Sequence, residues 1–472
     1  MKSTVAQLIA GLSGAAADAA MGALAFDGVV IDSRLVSPGC LFVALRGERF
    51  DAHDFLVDVI QSGAVVVVVE HCSAAVIDAA KAANAAIIVV PDTRSAFGEM
   101  GRFWRTQFTL PVIAVTGSNG KTTVKEMIAA ILQAEFGVEH ALSTNGNLNN
   151  EIGVPKTLFR LSTQHRAAVI EVGMNHPGEI AQLAAIALPT VGLVNNAQRE
   201  HQEFMQSVAA VAQENGAVIQ GLALDGVAIF PAGDPFTALW CAYAGSRRVL
   251  SFGLAGTGAH VSCTYQSSGF GSEMAVHIVE TSIASEAELD VRFDVKLAAA
   301  GEHNVLNALA SIAAGYAIGC RVESMVQGLQ NFVPVSGRLQ KKRAYNQAIL
   351  IDDTYNANPD SVRAAIDVLA QAAGSKVVVL GDMGEVGSDG PAYHDEIGAY
   401  AKERGIDHLY TLGELACHSS ATFGAPACHF DHIEGLLQHL DASVDSSMTV
   451  LIKGSRFMKM ERVVTHLMQS ER

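Results

Sequence analysis

Residues 117–123 combine glycines, a lysine and hydroxyl side chains at a spacing suited to binding a triphosphate. They read Gly117-Ser118-Asn119-Gly120-Lys121-Thr122-Thr123 and lie between a strand-forming and a helix-forming segment. Glycines let backbone N–H groups face phosphate oxygens, and a helix N-terminus adds partial positive charge. We therefore expect Lys121 to reach the β- and γ-phosphates of ATP and the Thr122 hydroxyl to bind Mg²⁺. The alternative is a tight turn before an ordinary helix, because only two residues separate the glycines.

A carboxylate and a histidine farther along the chain are the other candidate metal ligands. Glu171 ends an apolar run that begins at Ala167, and His201 follows the next predicted strand. A carboxylate at a strand end beside a phosphate loop is where such sites hold Mg²⁺. We therefore expect Thr122, Glu171 and His201 to bind the ion. The alternatives are a Glu171 that pairs with a surface cation and a His201 that is an exposed loop residue without a role.

Short Val- and Ile-rich runs alternate with Ala-rich stretches along the chain. Such runs are typical of buried parallel strands, and the helices between them indicate open, doubly wound sheets. Ligands then bind at the carboxyl ends of the strands. Residues 250–300 alternate polar and apolar side chains, which predicts a β-rich region. The predicted strands are Ala64–Val69, Ala86–Val90, Val112–Thr116, Ala168–Val172, Val191–Asn195, Lys376–Leu380, Leu409–Leu412 and Thr449–Ile452.

Length and pattern together indicate several domains. A chain of 472 residues allows two to four domains of about 100–200 residues each. Apolar residues between Val5 and Leu12 fall on one face of a helix that Ser3 is expected to cap, which favours a folded N-terminus over a signal peptide. The predicted domains are residues 1–106, 107–333 and 334–472.

Composition excludes several classes of protein. The formal charge of −16 argues against a nucleic-acid binder, and it means that the cations that meet an anionic ligand must be placed locally. Seven Cys residues without a CxxC spacing indicate a reducing cytoplasm rather than a disulfide framework. No apolar stretch reaches the roughly 20 residues that a membrane span needs.

Several longer motifs make a family resemblance visible. Residues 116–123 resemble the ATP loop of Mur ligases and folylpolyglutamate synthases, and Gly301–Ala310 resembles the second motif that these enzymes share. Further motifs narrow the resemblance to the branch of the Mur ligase family that joins D-alanyl-D-alanine to UDP-N-acetylmuramoyl-tripeptide. The resemblance runs from about Ile31 to about Lys459, nearly the whole chain. The narrowing motifs are Asn145–Gly153, Asp352–Ser361, Leu380–Glu385 and Lys453–Arg456.

The resemblance implies a fold, an activity and partners. We expect an α/β fold of three domains, in which a central doubly wound sheet with the phosphate loop is flanked by a small N-terminal α/β domain and a Rossmann-like C-terminal lid. The small domain would bind the UDP-sugar. The implied enzyme is a monomeric cytoplasmic ligase that uses ATP and Mg²⁺ to phosphorylate the tripeptide carboxylate, and the amine of D-alanyl-D-alanine then attacks the acyl phosphate.

The resemblance also assigns roles to matching residues. Lys121, Glu171, His201 and Arg338 would act in catalysis, with Arg338 on the γ-phosphate. Asn304 and Asn307 would bracket the adenine, and Asp353 would bind the ribose. From the residues alone, helix capping by Asn304 and surface pairs at Arg338 and Asp353 stay open. A structural salt bridge at Arg34 and Arg46 and a capped turn over residues 144–151 stay open as well. The implied substrate-binding residues are Ser33, Arg34, Arg46, Thr144, Asn145, Asn149, Asn150, Glu151, Tyr355, Asn356, Asn358, Lys453 and Arg456.

One residue departs from the family pattern. Related ligases carry a carbamylated lysine that helps to hold a second Mg²⁺, and Asn215 occupies its place. One ion is therefore expected and the second is in doubt. His303 and His201 are the candidate bases for the amine. Three alternatives stay open: diaminopimelate or lysine as the third peptide residue, another ligase of the superfamily, and a nucleotide-binding protein without chemistry.

Overall fold

A computed structural model of the chain describes residues 1–200, 202–281 and 288–469. Across these ranges, the strands form a five-stranded, a nine-stranded and a six-stranded sheet, with one two-stranded ribbon. Short 3₁₀ helices connect some of the elements. They span Ala19–Met21, Ser33–Leu35, Ala52–Phe55, Val138–His140, Gly387–Asp389 and Arg456–Met458.

The N-terminal unit is a small sheet with helices on both faces. Strands β4 to β7 run parallel in the order β4-β5-β6-β7, and β2 joins antiparallel beside β7. The strands are Lys2–Thr4 (β1), Ala16–Ala17 (β2), Ala25–Asp27 (β3), Val29–Val30 (β4), Leu41–Val43 (β5), Val66–Val69 (β6) and Ala86–Val89 (β7). The helices are Val5–Ile9 (α1), Leu56–Gln61 (α2), Ala74–Ala83 (α3) and Thr93–Arg105 (α4).

The central unit is built on the nine-stranded sheet. Its strands follow the order β16-β15-β14-β13-β12-β11-β8-β10-β9. Neighbouring strands from β9 to β14 run parallel, and β15 runs antiparallel to both β14 and β16. The strands are Val112–Thr116 (β8), Ala141–Ser143 (β9), Ala167–Glu171 (β10), Val191–Val194 (β11), Val227–Pro231 (β12), Arg248–Leu254 (β13), Val261–Ser268 (β14), Gly271–Thr281 (β15) and Glu288–Leu297 (β16). The helices are Lys121–Phe136 (α5), Gly153–Leu158 (α6), Glu179–Ala187 (α7), Gln202–Met205 (α8), Val208–Gln220 (α9), Thr237–Ala244 (α10), Glu302–Ala317 (α11) and Val322–Gln330 (α12).

The C-terminal unit repeats the doubly wound plan. Its strand order is β17-β18-β22-β19-β20-β21, and β17 alone of these six runs antiparallel to its neighbour. The strands are Gln340–Arg343 (β17), Ile349–Asp353 (β18), Ser375–Gly381 (β19), His408–Leu412 (β20), Ala427–Phe430 (β21) and Met448–Lys453 (β22). The helices are Pro359–Ala370 (α13), Gly390–Glu403 (α14), Ala416–Phe423 (α15), Ile433–Ser443 (α16) and Glu461–Met468 (α17).

The central sheet places the site through its strand order. Strand β8 lies between β10 and β11, and all three run parallel. The chain after β8 crosses to one side of it and returns later on the other, so a crevice forms at the carboxyl ends of these strands. Apolar side chains of α5 and α11 cover one face of the sheet, and those of α7 and α9 cover the other.

The described elements confirm the predicted fold class and all eight predicted strands, which differ by at most two residues at either end. The β-rich region predicted for residues 250–300 is the part of the sheet formed by β13 to β16. One local prediction was wrong: Thr4, not Ser3, caps α1, because Ser3 lies in β1 and the Thr4 hydroxyl accepts from the Gln7 N–H. Within the ranges above, the helices are too short or too polar to cross a membrane.

Candidate active site between the central and C-terminal units

The phosphate loop turns on two glycines at positive φ, which is 137° at Gly117 and 81° at Gly120. A Cβ atom at Gly120 would lie 2.5 Å from Oδ1 of Asn307, and one at Gly117 would lie 2.9 Å from Cβ of Asn195. Both positions therefore need glycine, for the backbone conformation and for the close approach. Helix α5 begins directly afterwards at Lys121, so its first N–H groups are available to phosphate oxygens.

Lys121 folds back over its own loop. Its Nζ atom donates to the carbonyl oxygens of Gly117 and Ser118, and to a carboxylate oxygen of Glu200 at 3.0 Å. The two side chains are 16% and 8% exposed. Three oxygen acceptors satisfy the three N–H donors of this buried ammonium group. Phosphate oxygens are hydrogen-bond acceptors as well, so they can take the place of these partners.

A cluster of asparagines fixes the loop to its neighbours. The Asn119 N–H donates to Oδ1 of Asn196 at 2.9 Å, and Nδ2 of Asn195 donates to the Asn119 carbonyl at 2.8 Å. Asn195 also donates to Asn307 at 2.8 Å, and Asn307 donates to Asn304 at 3.2 Å. The predicted adenine-binding pair is thus buried at the start of α11, and Asn307 lies against the phosphate loop.

Glu171 is a buried carboxylate at the end of β10. Its Oε1 accepts from Nδ2 of Asn149 at 2.9 Å, and its N–H donates to the Thr144 hydroxyl at 3.0 Å. Its Oε2 is buried and has no hydrogen-bond partner among the residues that the structure describes. An unpaired buried carboxylate oxygen is costly, and oxygen is the ligand that Mg²⁺ prefers, so this atom fits a bound cation. Across residues 1–200, 202–281 and 288–469, no three His, Cys, Asp or Glu side chains converge on one metal position; His201 lies outside those ranges.

Asn215 lies in α9, behind the last residue of β8. Its Oδ1 accepts from the Thr116 hydroxyl at 2.6 Å, whereas its buried Nδ2 has no partner within the described part of the chain. The oxygen is therefore already engaged and the remaining group is a donor. A neutral amide supplies neither the negative charge nor the pair of oxygens of a carbamylated lysine, so this residue does not fit the role of the lysine that it replaces.

The C-terminal unit contacts the phosphate loop directly. Nη2 of Arg338 donates to the Thr122 hydroxyl at 2.9 Å, and its guanidinium carbon lies 4.2 Å from the ring centroid of Tyr355. Nδ2 of Asn358 donates to Oδ1 of Asn119 at 2.9 Å. Arg338 and Thr122, predicted to meet the γ-phosphate and Mg²⁺, therefore lie together.

Lys453 and Asp353 form a buried ion pair. Nζ of Lys453 lies 2.5 Å from Oδ2 of Asp353 and also donates to the Asn356 carbonyl at 2.8 Å. Oδ1 of Asp353 accepts from the Leu339 N–H at 3.1 Å. The lysine predicted for a substrate carboxylate is therefore paired with the carboxylate predicted for the ribose.

The central and C-terminal units line one cavity of about 800 Å³, a size typical of small-molecule sites. His303 also lines it, and burial lowers the pKa of this ring to about 4, against a smaller raising effect from Asp353. His303 is therefore neutral near pH 7. The predicted residues that line the cavity are Ser118, Asn119, Gly120, Lys121, Thr123, Asn149, Asn150, Glu151, Glu171, Asn304, Asn307, Arg338, Asp353, Tyr355, Asn356, Asn358 and Lys453.

Other predicted residues do not line this cavity. The Arg34 side chain is 86% exposed and pairs with Asp32 at 2.6 Å, and Arg456 pairs with Glu461 at 3.0 Å. Arg46 lies 3.1 Å from Asp51. The remaining predicted residues outside the cavity lining are Gly117, Thr122, Ser33, Thr144 and Asn145. Gly117 and Thr122 belong to the loop itself, and Thr144 holds Glu171 through its hydroxyl.

Three residues with marked contacts at the site were not predicted: Lys125, Arg199 and Glu200. Lys125 is fully buried and donates to the Thr144 carbonyl at 2.9 Å. Arg199 pairs with Asp360 and Glu396 of the C-terminal unit, both at 2.6 Å. The available signal for Arg199 and Glu200 was a pair of charged residues in the loop that follows the buried strand β11.

Comparisons with known proteins agree with this arrangement. Family models match residues 25–105 (Mur ligase family, catalytic domain), 115–315 (Mur ligase middle domain) and 337–456 (Mur ligase, glutamate ligase domain). The UDP-N-acetylmuramoyl-tripeptide–D-alanyl-D-alanine ligase of Escherichia coli K12 is 39% identical over 95% of both chains. A crystal structure of MurF from Acinetobacter baumannii is 34% identical, with a TM-score of 0.88 over 100% of this chain and 99% of that one. MurF from Thermotoga maritima in complex with ADP is 26% identical, with a TM-score of 0.80 over 93% and 96%.

Proposed function

This chain belongs to the Mur ligase family, and from that premise we infer that it is an ATP-dependent ligase that adds D-alanyl-D-alanine to UDP-N-acetylmuramoyl-tripeptide in peptidoglycan precursor synthesis. The main support is structural: a phosphate loop, a buried carboxylate and an arginine from another unit border one site. The chain is also similar over 95% of its length to such a ligase.

The first step overcomes the low reactivity of a carboxylate toward amines. We propose that the terminal carboxylate of the tripeptide attacks the γ-phosphorus of ATP, which gives an acyl phosphate and ADP. Lys121 leaves Glu200 to bind the phosphates, and Arg338 stabilises the charge that moves during transfer. Backbone N–H groups at the start of α5 hold the β-phosphate.

In the second step the free amine of D-alanyl-D-alanine attacks the acyl phosphate. The tetrahedral intermediate collapses to the amide and inorganic phosphate. His303, which is neutral near pH 7, is a candidate to accept the amine proton; His201 is the other predicted candidate. Acyl phosphates hydrolyse, so the C-terminal unit must exclude water when it covers the cavity.

We propose one Mg²⁺, held by Glu171 and Thr122, with His201 as the further predicted ligand. The unpartnered Oε2 of Glu171 supports this assignment. When bound, the ion neutralises phosphate charge during transfer. A second ion is not part of the proposal, because the neutral Asn215 amide cannot supply the negative charge of a carbamylated lysine.

The remaining assignments are proposals as well. Residues 1–106 would bind the UDP-sugar through Ser33, Arg34 and Arg46, residues 107–333 would bind ATP, and residues 334–472 would act as the lid. Glu151, which lines the cavity and pairs with Arg94 at 2.8 Å, would connect the first two sites. A monomer in the cytoplasm is proposed, and its seven free cysteines are consistent with a reducing compartment.

The direct test is to supply ATP, UDP-N-acetylmuramoyl-tripeptide and D-alanyl-D-alanine and to follow phosphate release with each omitted in turn. Sustained release is expected with the complete mixture alone. Parallel assays with diaminopimelate or lysine as the third peptide residue identify the acceptor. Release that responds to a free amino acid instead would indicate another ligase of the superfamily, and ATP binding without turnover would indicate a nucleotide-binding protein without chemistry.

A further inference from the structure

Arg199 makes the densest set of polar contacts between the central and C-terminal units. Its guanidinium group lies 2.6 Å from Oδ1 of Asp360 in α13 and 2.6 Å from Oε2 of Glu396 in α14. Its backbone N–H also donates to Asp360 at 2.9 Å, and the group lies 5.3 Å from the ring centroid of Tyr393. All three charged side chains are between 23% and 31% exposed, so water screens these contacts less than those of fully exposed pairs.

The segment that carries Arg199 also supports the phosphate loop. Gln198, its neighbour, donates through its N–H to the Ser118 hydroxyl at 2.9 Å and accepts from Nδ2 of Asn119 at 2.6 Å. Asn196 accepts from the N–H groups of Ser118 and Asn119 at 3.2 Å and 2.9 Å. A displacement of this segment therefore displaces Ser118 and Asn119, and with them the loop that leads into the first N–H groups of α5.

These two sets of contacts meet within four residues. We propose that Arg199 is a positioning residue that couples docking of the C-terminal unit to the geometry of the phosphate loop. Docking of α13 and α14 on the guanidinium group fixes residues 196–199, and these fix Ser118 and Asn119. The inference rests on the proposed ligase function, because it predicts that the phosphate loop is competent for catalysis only when the C-terminal unit is docked.

The chain offers a matched control in Arg363. This residue pairs with the same Glu396 at 2.9 Å and its guanidinium carbon lies 4.0 Å from the Tyr400 ring centroid. It belongs to α13, so its ion pair lies wholly within the C-terminal unit. Arg363→Met removes a charge from the same cluster without removing a contact between units.

The test compares steady-state ligation by the parent protein with that by Arg199→Met, Glu396→Gln and Arg363→Met. Arg199→Met is expected to lower kcat by about five- to thirtyfold, the usual range for loss of a coupling contact, with an unchanged KM for the UDP-linked substrate. Glu396→Gln should lower kcat in the same direction, and the double variant should lose less than the product of the two single effects, because both remove one interaction.

A second measurement separates coupling from general destabilisation. The radius of gyration with bound ADP should be larger for Arg199→Met than for the parent, and that of Arg363→Met should match the parent. The proposal is overturned if Arg199→Met turns over at the parent rate or faster, or if Arg363→Met is slowed equally. Should Arg199→Met not fold, Glu396→Gln against Arg363→Met decides in the same way. A parent that does not ligate would instead contradict the proposed function.

Discussion

The Nζ atom of Lys121 lies 3.0 Å from a carboxylate oxygen of Glu200, and both side chains are largely buried. The loop lysine thus has an internal anionic partner. A phosphate that binds the loop must take the place of this carboxylate at the ammonium group. The pair explains how the Lys121 ammonium group is tolerated in a largely buried position, because the Glu200 carboxylate compensates its charge.

Lys121→Ala should abolish ligation. The variant loses the cation that binds the phosphates and stabilises the transferred charge, so phosphate release should fall by about 10²–10³-fold or more. Lys81→Ala, a change in an exposed residue of α3, should match the parent. Unfolding curves should show that both variants are folded. Equal ligation by Lys121→Ala and the parent would mean that residues 117–123 are not the ATP loop.

Glu200→Gln should strengthen nucleotide binding. The neutral amide competes less with phosphate for Lys121, so the Kd for ADP measured by calorimetry should fall several-fold. Glu203→Gln is the matched control, since Glu203 is an exposed residue of the next helix. Weaker binding by Glu200→Gln would show that the carboxylate contributes to the nucleotide site rather than competing with it.

Glu171→Gln should raise the Mg²⁺ requirement. The amide keeps an oxygen for Asn149 but loses the negative charge, so kcat should fall at least about 10²-fold and more Mg²⁺ should be needed for half-maximal activity. A titration of phosphate release against Mg²⁺ at saturating ATP measures both. An unchanged Mg²⁺ requirement would remove Glu171 from the proposed metal site.

The sequence predicted most of the site because its parts are local. The phosphate loop needs a strand, two glycines and a helix in succession, and all of them lie within residues 112–136. The strand positions followed in the same way, because a buried parallel strand must be apolar on both faces. Residue type and order were sufficient for these features.

Pairings between distant segments could not be predicted in this way. Asp353 and Lys453 are direct partners in the register of β18 and β22. The resemblance gave these two residues separate roles, but they lie side by side at the ends of neighbouring strands and form an ion pair. The contacts of Arg199 also depend on how two units dock. Both results follow from tertiary register, on which local residue patterns carry no information.

Stability of the C-terminal unit should depend on pH through His394. Burial lowers the pKa of this ring, whose Nε2 accepts from the Met383 N–H at 3.0 Å. In the unfolded chain this histidine has a pKa near 6.5 and binds a proton more readily than the buried ring does. The contribution of the neutral ring to folding stability is therefore complete above that pH and is lost as the pH falls below it. The melting temperature of the parent should therefore fall between pH 7.5 and 5. His394→Gln should flatten this fall and the exposed His432→Gln should not; a parent curve flat in pH would contradict the assignment.

Asn215→Lys tests the proposal of a single metal ion. Phosphate release by the parent, titrated with Mg²⁺ beyond saturation of ATP, should follow one binding phase, because the Asn215 oxygen is already bonded to Thr116 and its free group is a donor. A lysine that becomes carbamylated would supply an anionic oxygen, so the variant should gain a second Mg²⁺-dependent phase that requires bicarbonate. Asn215→Ala is the control, since it removes the Thr116 contact without adding a ligand and should keep one phase. Two phases in the parent would contradict the proposal, and they would mean that other groups replace the missing lysine.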